Sequence, residues 1–204
     1  MIWFLGSFIV YWAQRNAHSR YGGPNLGLQN RGAHIRWFSK RGMLWSEFNP
    51  TVSKLIPRFP PPAMIFLQLG SNDLGTCKRI DLIQNIERNI LRLRLLLPST
   101  RSIWSDILMR RYWHCIHNGT AIERARKCMN SAVNKFLKND GHCVIHHPNI
   151  RAREKNLCRF DGTHVSDIGV DIYLNNIQGA VETCMSSNQT RYLTTKLSID
   201  VYFS

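Results

Sequence analysis

Residues 63–70 read AMIFLQLG and are followed directly by Ser71, Asn72 and Asp73. An almost unbroken apolar run of this length predicts a strand buried on both faces. Such strands belong to parallel sheets, because the crossover helices of a parallel sheet cover both of its faces. The polar residues that come next therefore predict a turn at the carboxyl end of a central strand.

Short apolar runs alternate with longer helical patterns on both sides of this stretch. Apolar residues spaced by three or four predict helices over 8–20, 43–54 and 80–97. Two more helices are predicted, one from Asn118 as an N-cap to about residue 138, and one after His164 with Ser166 as a cap. Alternation of this kind predicts an α/β domain of three layers with a roughly five-stranded parallel sheet. The other predicted strands are 2–6, 34–39, 101–108 and 142–146.

The chain of 204 residues suits one hydrophobic core. We expect one domain over residues 1–185, with residues 186–204 as a C-terminal tail for which the sequence gives no firm structure. Because the chain starts directly on an apolar run, it is also compatible with one piece of a longer product.

The charge balance is strongly basic. Lys and Arg number 27 against 13 Asp and Glu, which gives a net charge of +14. Such an excess attracts polyanions, so nucleic acid is one candidate partner. The basic residues are spread along the chain without a long block, which favours a solvated exterior instead. Clustering of these residues on one face of the folded domain would favour the nucleic-acid hypothesis.

Membrane, disulfide and metal chemistry have little support. The first ten residues are apolar but too short to span a bilayer, and they lack the basic leading region of a signal peptide. The six cysteines form no close pair and are interpreted as reduced thiols. The pairs His114/His117 and His146/His147 lack a second ligand pair. We therefore expect a cytoplasmic protein without a membrane partner, metal or cofactor.

Short polar clusters follow the predicted strands and precede the last helix. Gly6 and Ser7 follow the first strand, Gly42 follows the second, and Asp161 and His164 stand just before the final helix. In an open parallel sheet, ligands bind beyond the carboxyl ends of the strands. The amide of Asn72 and the carboxylate–imidazole pair are therefore expected to share one working surface.

This ordered set resembles the SGNH hydrolases, also called GDSL-type esterases and lipases. Their hallmark blocks are a Gly-Asp-Ser turn, an isolated Gly, a Gly-x-Asn-Asp turn and a late Asp-x-x-His. Gly70-Ser-Asn-Asp73 matches the third block in full, Asp161-Gly-Thr-His164 matches the fourth, and Gly42 is a reasonable second block. The resemblance covers residues 2–180. It implies a flavodoxin-like sandwich of the SGNH-hydrolase type that acts on small carboxylic or acetyl esters.

The resemblance also implies a role for each matching residue. His164 would be the general base, and Asp161 would orient its imidazole. The side chain of Asn72 and the backbone N–H of Gly42 would stabilise the oxyanion of the reacting ester. The supporting turns would be formed by Gly6, Gly70 and Asp73.

The first block departs from the family pattern. The chain reads Gly6-Ser7-Phe8 where the family has Gly-Asp-Ser, so Phe8 stands at the position of the nucleophile. Several hypotheses remain open at this point. A shortened turn could bring Ser7 into the nucleophile's place, or Ser39 or Ser71 could reach His164. Alternatively, the domain is a catalytically inactive binding domain, or a basic nucleic-acid-associated module of a larger protein derived from a mobile element.

Overall fold

A computed structural model describes residues 1–113 and 118–186. The strands in these ranges form one parallel sheet in the order β2-β1-β3-β4-β5. They are β1 (Ile2–Gly6), β2 (Ile35–Ser39), β3 (Met64–Gln68), β4 (Arg101–Ser105) and β5 (Cys143–Ile145). The sheet confirms the prediction of a five-stranded parallel α/β fold. The expected tail falls almost wholly on residues 187–204, outside the described ranges.

Helices cover both faces of the sheet, which completes the three layers. Side chains alternate along each strand, so Trp3 and Leu5 point to one face while Ile2 and Phe4 point to the other. The first face packs against α2 (Phe48–Leu55), α3 (Arg79–Leu96) and α4 (Gly119–Asn139). The second packs against α1 (Phe8–Ser19) and α5 (Asp167–Ser186). No helix within the two described ranges is both long enough and apolar enough to cross a membrane.

The direction of winding reverses between β1 and the central strand β3. A reversal of this kind opens a crevice at the carboxyl ends of the strands, where α/β proteins bind ligands. Gly6 lies at this point, and a Cβ atom there would sit 2.3 Å from Cγ2 of Val10 and 2.8 Å from the carbonyl oxygen of Gln68. A glycine is therefore required for α1 to start so close to the end of β1.

Two element boundaries differ from the sequence-based expectation. The helix expected from residue 43 begins at Phe48, after a 3₁₀ turn over Trp45–Glu47. The strand expected to reach residue 108 ends at Ser105, because α4 side chains replace the sheet as hydrogen-bond partners there. Asn130 accepts from the N–H of Ile107 at 3.0 Å and donates to its carbonyl at 3.1 Å. The N–H of Asp106 still donates to the carbonyl of Ile145 in β5 at 3.0 Å, and the residues after it cross the carboxyl edge of the sheet as a loop.

A buried imidazole joins β4, the end of β5 and α5. Nε2 of His147 lies 2.8 Å from the hydroxyl of Ser105, and Nδ1 lies 3.1 Å from the amide nitrogen of Asn176. Because that amide donates to Nδ1, the neutral ring carries its proton on Nε2 and donates it to Ser105. Burial lowers the pKa of His147 to about 4.

This neutral imidazole predicts an acid-sensitive fold. Between about pH 6.5 and about pH 4 the unfolded chain binds a proton at His147 that the folded chain does not, so the free energy of unfolding falls as the pH falls through this window. Over this pH window, the free energy of unfolding measured by urea denaturation should fall by roughly 1–3 kcal/mol less in His147→Gln than in the natural chain. The exposed His18→Gln variant is the control. An unchanged pH dependence in His147→Gln would contradict this interpretation.

Candidate active site

Asp161 and His164 form a preorganised pair in the turn before α5. Nδ1 of His164 lies 2.5 Å from one carboxylate oxygen of Asp161, while the other oxygen accepts the backbone N–H groups of Thr163 and His164 at 2.9 Å each. Burial opposes ionisation of Asp161, but the hydrogen bonds from His164 and Thr163 outweigh it and lower the pKa of Asp161 to about 2. The ionised carboxylate therefore accepts a hydrogen bond from Nδ1–H of His164, which leaves Nε2 as the basic nitrogen.

The loop after β4 holds this turn in place. The carbonyl of Gly162 accepts the N–H groups of Arg111 at 2.9 Å and Tyr112 at 3.0 Å. Gly162 has a φ of +62°, and a Cβ atom there would lie 2.2 Å from the Tyr112 ring. A glycine between Asp161 and His164 therefore lets the two loops meet.

Asn72 lies against the turn that contains Gly42. Its amide nitrogen donates to the carbonyl of Met43 at 3.1 Å, and Gly42 precedes that residue with a φ of +73°. An amide nitrogen carries two N–H donors, so this bond uses one of them. The structure thus brings the second and third sequence blocks together.

A buried carboxylate fixes the same two blocks to each other. Both oxygens of Asp73 lie 3.0 Å from the backbone nitrogen of Trp45. Burial raises the pKa of Asp73, and the hydrogen bond from Trp45 lowers it in part. Asp73 follows Gly70, which turns the chain at the end of β3 with a φ of +94°. Both residues thus support the turns of the site rather than face a substrate.

Arg110 is a site residue that sequence reasoning missed. Its guanidinium donates to the hydroxyl of Ser71 at 3.0 Å and to the side-chain oxygen of Asn72 at 3.3 Å. Burial lowers the pKa of Arg110, and the negative charge of Asp161 opposes that shift. The available signal was its position just after a strand, where the loop crosses the carboxyl edge of the sheet.

The aromatic ring of Phe8 covers the imidazole of His164. The two ring centroids lie 3.7 Å apart with an interplanar angle of 32°. On its other side, Phe8 contacts Trp12 at a centroid distance of 5.9 Å, and the guanidinium of Arg159 lies 4.0 Å from the Trp12 ring. Phe8 is therefore packed between Trp12 and the imidazole of His164.

The three serines considered from the sequence are placed differently. Ser7 is buried, with its N–H bound to the carbonyl of Gln68 at 3.3 Å. Ser39 lies 3.3 Å from the side-chain oxygen of Gln14, and Ser71 accepts from Arg110. Across residues 1–113 and 118–186, the structure shows no hydrogen bond from any of these hydroxyls to His164.

The cleft between these residues is almost filled. A cavity of about 30 Å³ lies between Ser7, Phe8, Ser71, Arg110 and His164. Ligand pockets usually enclose roughly 300–1,000 Å³, whereas about 10–15 Å³ is enough for one water molecule. The cleft has room for water but not for an ester and its acyl chain.

Within the two described ranges, no group of three or more His, Cys, Asp or Glu side chains is arranged to hold a metal ion. His114 and His117, which the sequence raised as candidate ligands, lie outside those ranges.

Solved structures of lipases and esterases have the same fold. A GDSL-like lipase from Bacteroides thetaiotaomicron superposes with a TM-score of 0.72 at 16% identity, over 90% of this chain and 88% of the lipase. A psychrotrophic esterase from Pseudoalteromonas sp. gives 0.68 at 12% identity, over 91% and 99%. An acetylxylan esterase from Geobacillus stearothermophilus gives 0.62 at 11% identity, over 88% and 93%. No protein-family profile and no curated protein sequence matches the chain. The likeness therefore establishes an SGNH-hydrolase fold.

Proposed function

We propose that this chain is an SGNH-type hydrolase domain that retains the general base and the oxyanion donors but has lost its nucleophile. The observation that carries the proposal is the contact of 3.7 Å between the rings of Phe8 and His164. A phenyl ring has no lone pair to attack a carbonyl, and it covers the imidazole that would activate a hydroxyl. The natural chain is accordingly an inactive member of an ester-hydrolase fold.

The retained residues fit every step of ester hydrolysis except the attack by a nucleophile. A serine hydroxyl would form a bond to the ester carbonyl carbon and pass its proton to Nε2 of His164. Asp161 would stabilise the imidazolium, while Asn72 and the N–H of Gly42 would bind the oxyanion. The imidazolium would then protonate the alkoxide as its bond to the carbonyl carbon breaks. Water, deprotonated by Nε2, would attack the acyl-serine and release the acid, and the serine oxygen would take the proton back. With Phe8 at the nucleophile's position, the first of these bonds cannot form.

Hydrolysis by Ser7 is the second candidate function. Ser7 borders the same small cavity as His164, which is the observation in its favour. A nucleophile must approach the reacting carbon to about 3–3.5 Å with the base in reach of its proton. Ser7 meets that requirement only if the Phe8 ring leaves the imidazole and the first turn of α1 shifts.

The natural chain is expected to show no catalysed hydrolysis of an activated ester. With p-nitrophenyl acetate we expect no burst of nitrophenol, and the same slow steady rate for the natural chain and His164→Ala. A burst that disappears in both Ser7→Ala and His164→Ala would instead identify Ser7 as a working nucleophile and overturn the proposal.

A further inference from the structure

Nine of the 27 Lys and Arg residues line neighbouring clefts of the domain. Three adjoining clefts of about 570, 550 and 640 Å³ run along α4 and the loop after β4. The first two share Asp106 and Arg126, and the last two share Lys127. Among the described residues, nine Lys or Arg side chains and two carboxylates line them. We call this surface the α4 groove.

Both carboxylates of the groove are hydrogen-bonded to neighbouring side chains. Glu123 forms two hydrogen bonds with the guanidinium of Arg126, at 2.6 and 2.8 Å. Asp106 lies 2.6 Å from Nδ1 of His146 and accepts the amide of Asn134 at 3.0 Å. With nine Lys or Arg side chains against these two carboxylates, the lining of the groove has an excess of positive charge.

The exposed cations of α4 fall on one stripe. Arg124, Lys127, Lys135 and Lys138 stand three, eight and three residues apart, which places them on the same side of an α-helix. The stripe is about 21 Å long at 1.5 Å per residue. Mixed charges would be expected on a merely solvated helix, whereas α4 has five Lys or Arg and one Glu.

An aromatic side chain stands at one end of the groove. Trp113 lines the third cleft as a half-buried side chain that packs against the core, and the centroid of its ring lies 4.9 Å from the guanidinium carbon of Arg110. Single-stranded nucleic acids bind to cationic grooves that follow the backbone and to aromatic rings on which bases stack. A row of cations that ends at an aromatic ring therefore favours a nucleic-acid strand as the partner.

We infer that the α4 groove binds single-stranded nucleic acid, with the stripe contacting phosphates and Trp113 stacking on a base. The groove borders the cleft that contains His164 and shares Arg110 with it, but the stripe of α4 lies outside that cleft. The inference would also account for a net charge of +14, about half of which the groove collects.

Fluorescence anisotropy with a labelled oligothymidylate tests the inference through a charge swap. Lys127→Glu with Lys135→Glu is expected to weaken binding at least about tenfold at low salt and to reduce the slope of log K against log salt by about 1.4. The matched control is Arg88→Glu with Arg92→Glu on the exposed side of α3, which changes the net charge equally. Equal losses in both variants would overturn the inference, because net charge alone would then explain the binding.

Trp113→Ala provides the second arm of the test. It is expected to weaken binding by about fivefold to a hundredfold without changing the salt slope. Thermal melting of each variant controls for folding. Vesicles containing phosphatidylserine are expected to bind weakly. If they bind more tightly than the oligonucleotide and Trp113→Ala affects neither, a membrane surface is the partner and the inference fails.

Discussion

Replacing Phe8 by serine is expected to create an esterase. The substitution removes the ring from the imidazole of His164 and supplies a hydroxyl at the start of α1, beside a base that Asp161 already orients. A positioned general base contributes 10²–10⁴-fold to such reactions, so p-nitrophenyl acetate hydrolysis should rise about 100-fold or more above the natural chain. Steady-state rates with a short-chain nitrophenyl ester would measure it.

Phe8→Ala is the control for this gain. It opens the cleft equally but supplies no nucleophile at position 8, so its rate should stay at the level of the natural chain. If Phe8→Ala gains as much as Phe8→Ser, and Ser7→Ala then removes the gain, the nucleophile is Ser7 and Phe8 is only a cover.

The second large effect is expected from Asp161 in the reactivated protein. In the Phe8→Ser background, Asp161→Asn should return ester hydrolysis to the level of the natural chain. An amide at this position no longer accepts the Nδ1 proton as a carboxylate does, so the imidazole loses both its tautomer and the charge that stabilises its protonated form. Loss of the equivalent carboxylate costs about 10⁴ in kcat in the well-studied serine proteases.

The pH profile separates this role from a structural one. With the pKa of Asp161 lowered to about 2, the carboxylate is ionised at every pH where the fold is intact, so it should add no step to the profile of the Phe8→Ser variant above pH 4. Thermal melting should show that Asp161→Asn leaves the protein folded. Full activity in the double variant would mean that His164 does not depend on Asp161.

Local patterns in the sequence were sufficient to predict the sheet. Residues 63–70 predict β3 because nearly every side chain there is apolar, and Phe66 and Leu67 are indeed buried on opposite faces. Asn118 and Ser166 are confirmed as helix caps, since their side chains accept backbone N–H groups of the first turns at 2.9 and 3.2 Å. Short-range hydrogen bonds of this kind depend on neighbours in sequence, so a pattern can specify them.

Contacts between distant segments could not be predicted in the same way. The early end of β4 depends on Asn130 of α4, and that end frees the loop that places Arg110 beside Asn72. The motif alone predicted that Phe8 stands at the nucleophile's position. Its packing on His164 follows from how α1 and the turn before α5 meet across the sheet edge.

The basic charge also illustrates the difference between what is local in sequence and what is brought together by the fold. Along the chain the Lys and Arg residues are dispersed, which favoured a solvated exterior. In the folded domain, Arg151 and Arg153 lie in the same groove as the stripe of α4, although they are distant in sequence. Whether Lys and Arg residues cluster on one surface depends on how the chain folds, so their dispersal along the sequence could not answer that question.

We propose that position 8, occupied by phenylalanine, is where the nucleophile of this fold would stand. The most direct measurement is labelling with a fluorophosphonate probe, followed by peptide mapping, of the natural chain, Phe8→Ser, and Phe8→Ser with His164→Ala. We predict no adduct on the natural chain, an adduct at position 8 in Phe8→Ser, and its loss when His164 is removed. An adduct on Ser7 of the natural chain that depends on His164 would contradict the claim and show a working enzyme.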